Sequence, residues 1–382
     1  MVYGSADFMG IPWETIIKMF RRELGSRPFD RVEQYADCFL AYLTDSIAPL
    51  VGEPERRNLV AVTANSYLGY LENLVAEKCV EQLQQDAHSC GRRVKQLVDD
   101  VVDAELLRWR SKPYFTGYEQ VSVRRIKRAY ADVIEEQIQS YFAKAELYKK
   151  TRAAIVEVVA QLIAKDVPSP YQSGVVIAGF GVMDLFPCLR SYLIDGIVLD
   201  RVKCKGDKKV DVKPDMKASI TPFAEVQVVA SFMEGVDPLY LEQQYGWLKQ
   251  TFSDLPNVIA NQLPQIVGAD KTALVQISGD VMEEMLKEFV SAFADHRRKN
   301  YWWPIVNRVS AMPKEELAAL AEALVNLTAL KRKVSDDHET VGGPVDVAVI
   351  SKGDGLIWIK RKHYFTPDLN QHFIANCYRR EQ

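Results

Sequence analysis

The chain has 382 residues, of which 48% are hydrophobic and 26% charged, and its formal net charge is −3. This balance excludes a disordered or fibrous chain and leaves ample apolar surface for a core; the total charge does not draw it towards nucleic acid or anionic lipid. No stretch reaches the apolar length of a membrane helix, and MVYGSADFMG lacks the basic-then-apolar pattern of a secretory leader, so a cytoplasmic location without membrane contact is expected. The cysteines Cys38, Cys79, Cys90, Cys188, Cys204 and Cys377 form no CxxC pair and have no zinc-finger spacing to histidine. They read as reduced structural thiols, with no metal and no cofactor implied.

In chain order, MVYG reads as the end of a strand, and a helix follows that carries Trp13, Ile16, Ile17, Phe20 and Leu24 on one face, with Pro12 at its first position. After the break at Gly25–Pro28, a second amphipathic helix carries Phe29, Val32, Ala36, Phe39, Leu40 and Leu43 and stops near Pro49. From Glu53 to Asp166 the pattern is helical and polar, interrupted at SKPYFTGY (111–118). The basic cluster Arg124, Arg125, Lys127 and Arg128 lies beside Asp132, Glu135 and Glu136, a spacing that predicts a solvated, ion-paired helix face and no nucleic-acid partner.

The texture changes at Ser173. SGVVIAGFG (173–181) reads as a strand, and 189–205 as two more around a turn at Asp195-Gly196, which together predict an antiparallel meander. Gly174, Gly179 and Gly181 do not form a nucleotide loop, because no GK[ST] follows and no helix opens there. Residues 206–217 read as a charged hairpin tip or loop, 218–237 as a short strand entering a helix, and the chain to about 310 as helical. Within it, Tyr301-Trp302-Trp303 is expected to fill a core or an interface.

MPKEELAALAEALVNLTALKRK predicts a helix with Pro313 at its start, Glu315 and Glu316 in its first turn and Lys331, Arg332 and Lys333 in its last. The stripe Leu317, Leu320, Leu324 and Leu327 suits packing on a flat partner. That partner is expected in ETVGGPVDVAVISKGDGLIWIKRKHYF (339–365), where Val345, Val347 and Val349 alternate with Ala348 and Ile350. Apolar residues on both sides predict a central strand covered on both faces, within an α+β rather than a doubly wound architecture.

The ordered set SGVVIAGFG, the strand pair around Asp195-Gly196, ITPFAEVQ, the helix 314–333 and VGGPVDVAVISKGDG resembles the later two thirds of a proteasome-type β subunit, a member of the N-terminal-nucleophile (Ntn) hydrolase superfamily. IPWETIIK and WIKRKHYF are similar to an uncharacterised bacterial branch of it. The resemblance implies one Ntn-hydrolase-like domain over 1–382, a four-layer αββα sandwich of antiparallel sheets, with helical insertions at about 53–166 and 240–310 and the first strands absent. It further implies an amide- or peptide-bond hydrolase scaffold, a peptide-like substrate and assembly with identical or related subunits. In that family the nucleophile is the first residue, a Thr, Ser or Cys whose own α-amine is the base. Supporting residues precede a Ser-Gly-Gly; at the matching positions this chain has His338 for the acid and Val341 for the serine, with Gly342 and Gly343 retained. His338 lies between Asp337 and Glu339 in a titratable cluster.

Met1 and Val2 offer neither hydroxyl nor thiol, so the chain as given is expected to be inactive, either as a hydrolase starting downstream of its nucleophile or as a non-catalytic assembly or binding subunit. A helical adaptor binding nucleic acid through 122–128 is the weakest alternative. An electrophile selective for N-terminal Thr, Ser or Cys should leave the purified chain unlabelled by intact-mass measurement; a covalent adduct would show that the chain carries a nucleophile of that class.

Overall fold

The structure, a computed structural model, describes residues 1–83, 90–116, 118, 123–143, 147–169, 171–263, 265–335 and 343–362, together with 365–366, 369–372 and 375. It is α+β with antiparallel sheets, and the chain divides into two compact units, Met1–Asp211 and Val212–Gln382.

The first unit opens with β1 (Val2–Gly4) and the small pair β2 (Asp7–Phe8) and β3 (Ile11–Pro12), then α1 (Trp13–Leu24) and α2 (Val32–Tyr42). Pro12 has extended backbone and caps α1 from β3, one position earlier than expected. The second helix starts at Val32 instead of Phe29, because Gln34 Oε1 accepts the Arg31 N–H at 3.0 Å and Asp184 Oδ2 accepts the Val32 N–H at 3.0 Å. Four helices follow: α3 (Glu53–Leu83), α4 (Cys90–Ser111), α5 (Val123–Tyr141) and α6 (Lys149–Ala164). Then β4 (Ser173–Gly179), β5 (Cys188–Val198) and β6 (Arg201–Asp211) form the expected meander, with β1 on the outer edge of β4.

Alternation divides this sheet into two faces. Val2, Val175, Ile177, Tyr192, Ile194 and Cys204 pack with Trp13, Ile16, Phe39, Tyr42 and Ile47 of the α1–α2 layer. The Trp13 indole N–H donates to Ser173 Oγ at 2.9 Å and so fixes the start of α1 against β4. The helices α3–α6 enclose the largest core, built on Leu68, Leu71, Val102, Ile126, Ile134 and Ile155, which also takes in Val198 of β5. These helices, anticipated as insertions, therefore supply much of this unit's buried apolar surface. The charges of 124–136 pair across helices: Lys127 with Glu157 of α6 at 3.1 Å, Asp132 with Arg57 of α3, and Glu135 with Arg152 of α6 at 3.9 Å.

Two expectations for the meander are corrected. The β5–β6 turn is at Leu199-Asp200, where Leu199 has φ 56°, whereas Asp195-Gly196 lies inside β5 at a register shift. Asp195 is buried and ion-paired there, and the Leu199 N–H donates to Tyr130 Oη at 3.3 Å, so tertiary contacts set the turn against the local Asp-Gly signal. Residues 206–211 are also strand, and only 212–217 loop out, closed by a bridge between Lys213 and Met216.

The second unit contains α7 (Gln227–Glu234), α8 (Pro238–Asn261), α9 (Gly268–Arg297), α10 (Trp303–Val309), α11 (Lys314–Val334), β7 (Val347–Ser351) and β8 (Gly355–Lys360). Residues 218–226 form no strand, contrary to expectation; Ala218 instead joins Val229, Met233, Val306, Val309 and Leu324 in the core of this unit. Trp302 packs against that core, while Tyr301 and Trp303 are partly exposed.

The terminal hairpin departs most from expectation. Among the described residues β7 and β8 pair only with each other, and β8 is exposed along its whole length. Val347 is buried, but Ala348 and Ile350 face solvent. The hairpin packs on α11 as expected, with Lys314–Asp354 and Lys360–Glu322 ion pairs at 2.6 Å each. Its apolar alternation thus marks a two-stranded ribbon on one helix, not a central strand.

Gly174 shows why one of the three early glycines is needed: a Cβ there would lie 1.9 Å from the Tyr3 ring, which covers the strand at that point. Gly174→Val should displace Tyr3 and β1 and lower stability by about 1–3 kcal/mol. Urea unfolding would register this, with partial recovery in Gly174→Val/Tyr3→Ala; an unchanged midpoint in the single variant would refute the contact.

Candidate functional site

His338 and Gly342 lie outside the described residues, as do Asp337, Glu339 and Val341. Gly343 is exposed with φ 82° and has nothing within 4 Å of a Cβ position, so it makes a turn before β7 with no neighbour to work on.

A buried ion pair of the first unit belongs to the sheet. Lys203 and Asp195 are each 5% exposed in their side chains and pair at 3.0 Å. Burial pushes the Lys203 ammonium down, and Asp195 opposes that shift. Lys203 Nζ also donates to the Val167 carbonyl at 2.8 Å, while Asp195 Oδ1 accepts the Ser169 N–H at 2.7 Å. The pair therefore holds the 167–169 segment on the sheet, and its polar atoms are committed to that task. Among the thiols, Cys38, Cys79, Cys188 and Cys204 are free, and burial pushes Cys204 up to about 12, which keeps it protonated and unreactive. Replacing Lys203 with Met should cost about 3–5 kcal/mol by stranding a buried carboxylate, and Lys203→Met/Asp195→Leu should recover most of it. Equal stability of the single variant and the parent in chemical denaturation would contradict this role.

The second unit offers a surface of another kind. Helix α7 ends at Gly235, whose φ of 71° is the left-handed conformation of a helix C-cap and whose α-carbon sits under the Tyr301 ring. Two residues later Asp237 caps α8 by accepting the Leu239 N–H at 2.9 Å, with Pro238 at the first helical position. Asp237 also accepts from Gln227 Nε2 of α7 at 3.0 Å and Lys331 Nζ of α11 at 3.2 Å, so one carboxylate gathers three helices at the base of the α8–α9 hairpin. The Gln227 hydrogen bond, then the Leu239 N–H and Lys331, hold its pKa down at about 2.

From this base α8 and α9 run antiparallel with a thin seam. Leu241, Tyr245, Leu248, Phe252, Leu255 and Ile259 recur at coiled-coil spacing on α8. Yet among the described residues of the two helices only Pro256, Ala260 and Leu286 are fully buried. The seam opens into two hollows that share Tyr245 and Val290. One, of about 340 Å³, is lined by Phe289, Phe293, His296 and Tyr301 and closed by a Glu234–Arg297 pair at 3.3 Å. The other, of about 760 Å³, lies among Lys249, Phe252, Leu286 and Lys287. Outside the seam, Tyr240, Trp247, Ile277, Val281 and Met285 are all exposed. Isolated exposed apolar side chains are ordinary, but a concentration on one helical hairpin makes it a candidate docking surface.

The surrounding charges reinforce this. Asp280, Glu284 and Glu288 follow at i, i+4 and i+8 on α9, a like-charge row that costs helix stability by itself. No protein-family model, curated protein or solved structure matches this chain. No helix among the described residues is long and apolar enough to cross a membrane.

The spacing predicts helix over 240–310 but does not show this surface. The available signal was the excess of aromatic and branched residues on both faces of α9, more than a single packing partner can cover.

Because the Asp237 pKa is depressed in the folded chain, the stabilisation it supplies is fully present above the ordinary carboxylate range and is lost as pH falls through about 2. Carboxyl-selective NMR titration should place its midpoint near that value, and Asp237→Ala should fray the first turn of α8 at neutral pH. A midpoint near 4 would contradict the three-helix clamp.

Proposed function

We propose that this chain is a binding or assembly subunit whose α8–α9 hairpin takes up a polypeptide segment of a partner. The observation that carries this reading is the hairpin's half-open seam, flanked by large exposed apolar side chains from both helices. A third helix laid along such a seam completes the packing that two helices cannot achieve alone. The same surface supplies no activated nucleophile, so binding is the chemistry it supports.

A second reading concerns the scaffold. Four antiparallel strands with α1 and α2 on one face correspond to the sheet-and-helix half of a four-layer αββα sandwich, and this supports the resemblance to proteasome-type β subunits. On that reading the chain is an Ntn-hydrolase-like protein, and its binding surface serves assembly with identical or related subunits. Fold alone does not assign the hydrolase chemistry.

A photo-crosslinking residue at Met285 should give a polypeptide adduct in cells that a probe at the exposed Lys18 does not. The identified partner, purified, should then bind the parent chain and lose about tenfold or more in affinity for Val281→Asp, because a carboxylate in an apolar contact is left without a partner. Identical adducts from both positions, or unaltered binding by the variant, would refute the docking role.

A further inference from the structure

We infer that the partner of α9 is an amphipathic helix with lysine or arginine along one flank of its apolar stripe, an inference that rests on the docking role proposed above and adds the partner's chemistry. Helix α9 turns about 100° per residue, so Ile277, Val281 and Met285 form a slowly winding line, joined one turn on by Phe289. Their exposures are 66%, 49%, 51% and 36%. Leu286, on the side of the helix opposite Ile277 and Val281, is the residue buried towards α8. The line therefore runs from the outward face of α9 at Ile277 to the rim of the seam, where Phe289 lines the smaller hollow.

Beside it lies the row Asp280, Glu284 and Glu288, also at four-residue spacing; no side-chain hydrogen bond or ion pair within 4 Å ties any of the three to another described residue, although the charge of Glu284 is felt by Lys287. The nearest base in sequence, Lys287, is held by Glu283 at 2.6 Å. An apolar line with a parallel acidic row is half of a helix–helix interface in which the partner supplies both apolar knobs and cations. Two alternatives suit it less. An anionic lipid surface would meet the acidic row with like charge. A second copy of this face would do the same, and residues 238–297 carry eight Asp and Glu against four Lys and Arg.

The test uses the full chain and three synthetic helical peptides about twenty residues long, identical in their apolar stripe but flanked by Lys, Gln or Glu. Binding is measured by fluorescence anisotropy at low and high salt, beside sedimentation of the chain alone. The Lys-flanked peptide should bind about tenfold more tightly than the Gln-flanked one at low salt, with the gap closing as salt is added. Asp280→Asn/Glu284→Gln/Glu288→Gln should abolish the gap while leaving the Gln-flanked peptide's affinity unchanged, and hydrogen exchange should show protection over α9 with the Lys-flanked peptide. Equal binding of the Lys- and Gln-flanked peptides, or a gap that persists in the triple variant, would overturn the charge selection and leave the docking role standing. No binding by any peptide would overturn both. Self-association of the chain that Val281→Asp abolishes would overturn the basic partner in favour of a second copy.

Discussion

The buried pair between Asp195 and Lys203 ties together what would otherwise be two loosely related halves of the first unit. It joins β5 to β6 at the register shift, and its remaining polar atoms hold Val167 and Ser169, the segment that leads from α6 into β4. The helical core therefore reaches the sheet through a charged contact that tolerates little displacement, since neither partner has water to fall back on. The Leu199 turn follows from the same arrangement, because strand pairing must continue beyond Asp195 to bring Lys203 opposite it.

The second unit is organised around a different constraint. A pair of helices can bury one stripe from each, and α8 and α9 carry more apolar surface than that. Asp237 fixes the base of the pair by gathering α7, α8 and α11, so the hairpin is held at one end while its seam stays open. A surface held rigidly at one end and unfilled along its length is suited to receiving a partner, because little ordering has to accompany binding. The terminal hairpin repeats the theme on a smaller scale, with one face on α11 and the other in solvent.

Much of the fold was legible in the residues. The faces of α1 and α2 followed from apolar spacing, and the meander from three short runs with turn residues between them, whereas α11 buries Ala318, Leu324 and Thr328 and leaves Leu317 and Leu327 of its expected stripe exposed. The Asp195-Gly196 signal misled because a buried salt partner for Asp195 is a matter of position in space, eight residues away along the chain. VDVAVIS misled because alternation shows that both sides of a strand are apolar, not that both are covered. Of the candidate site, the rows on α9 were present in the spacing of Ile277, Val281 and Met285 and of Asp280, Glu284 and Glu288, but nothing in spacing says which line faces α8.

The sequence by itself determined the secondary-structure period of nearly every element, the absence of a charge imbalance strong enough to define a nucleic-acid partner, and the helix starts and stops at Gly25, Pro313 and the 331–333 basic turn. These are local properties, set by backbone conformational preference and by side chains a few residues apart. Only the tertiary structure decided which apolar faces were covered, where the β5–β6 turn fell and that Asp237 would bind three helices at once. Each of those depends on the burial of one group by residues distant in the chain, and a buried charge or an open seam acquires its energy only when the distant partner is in place or missing.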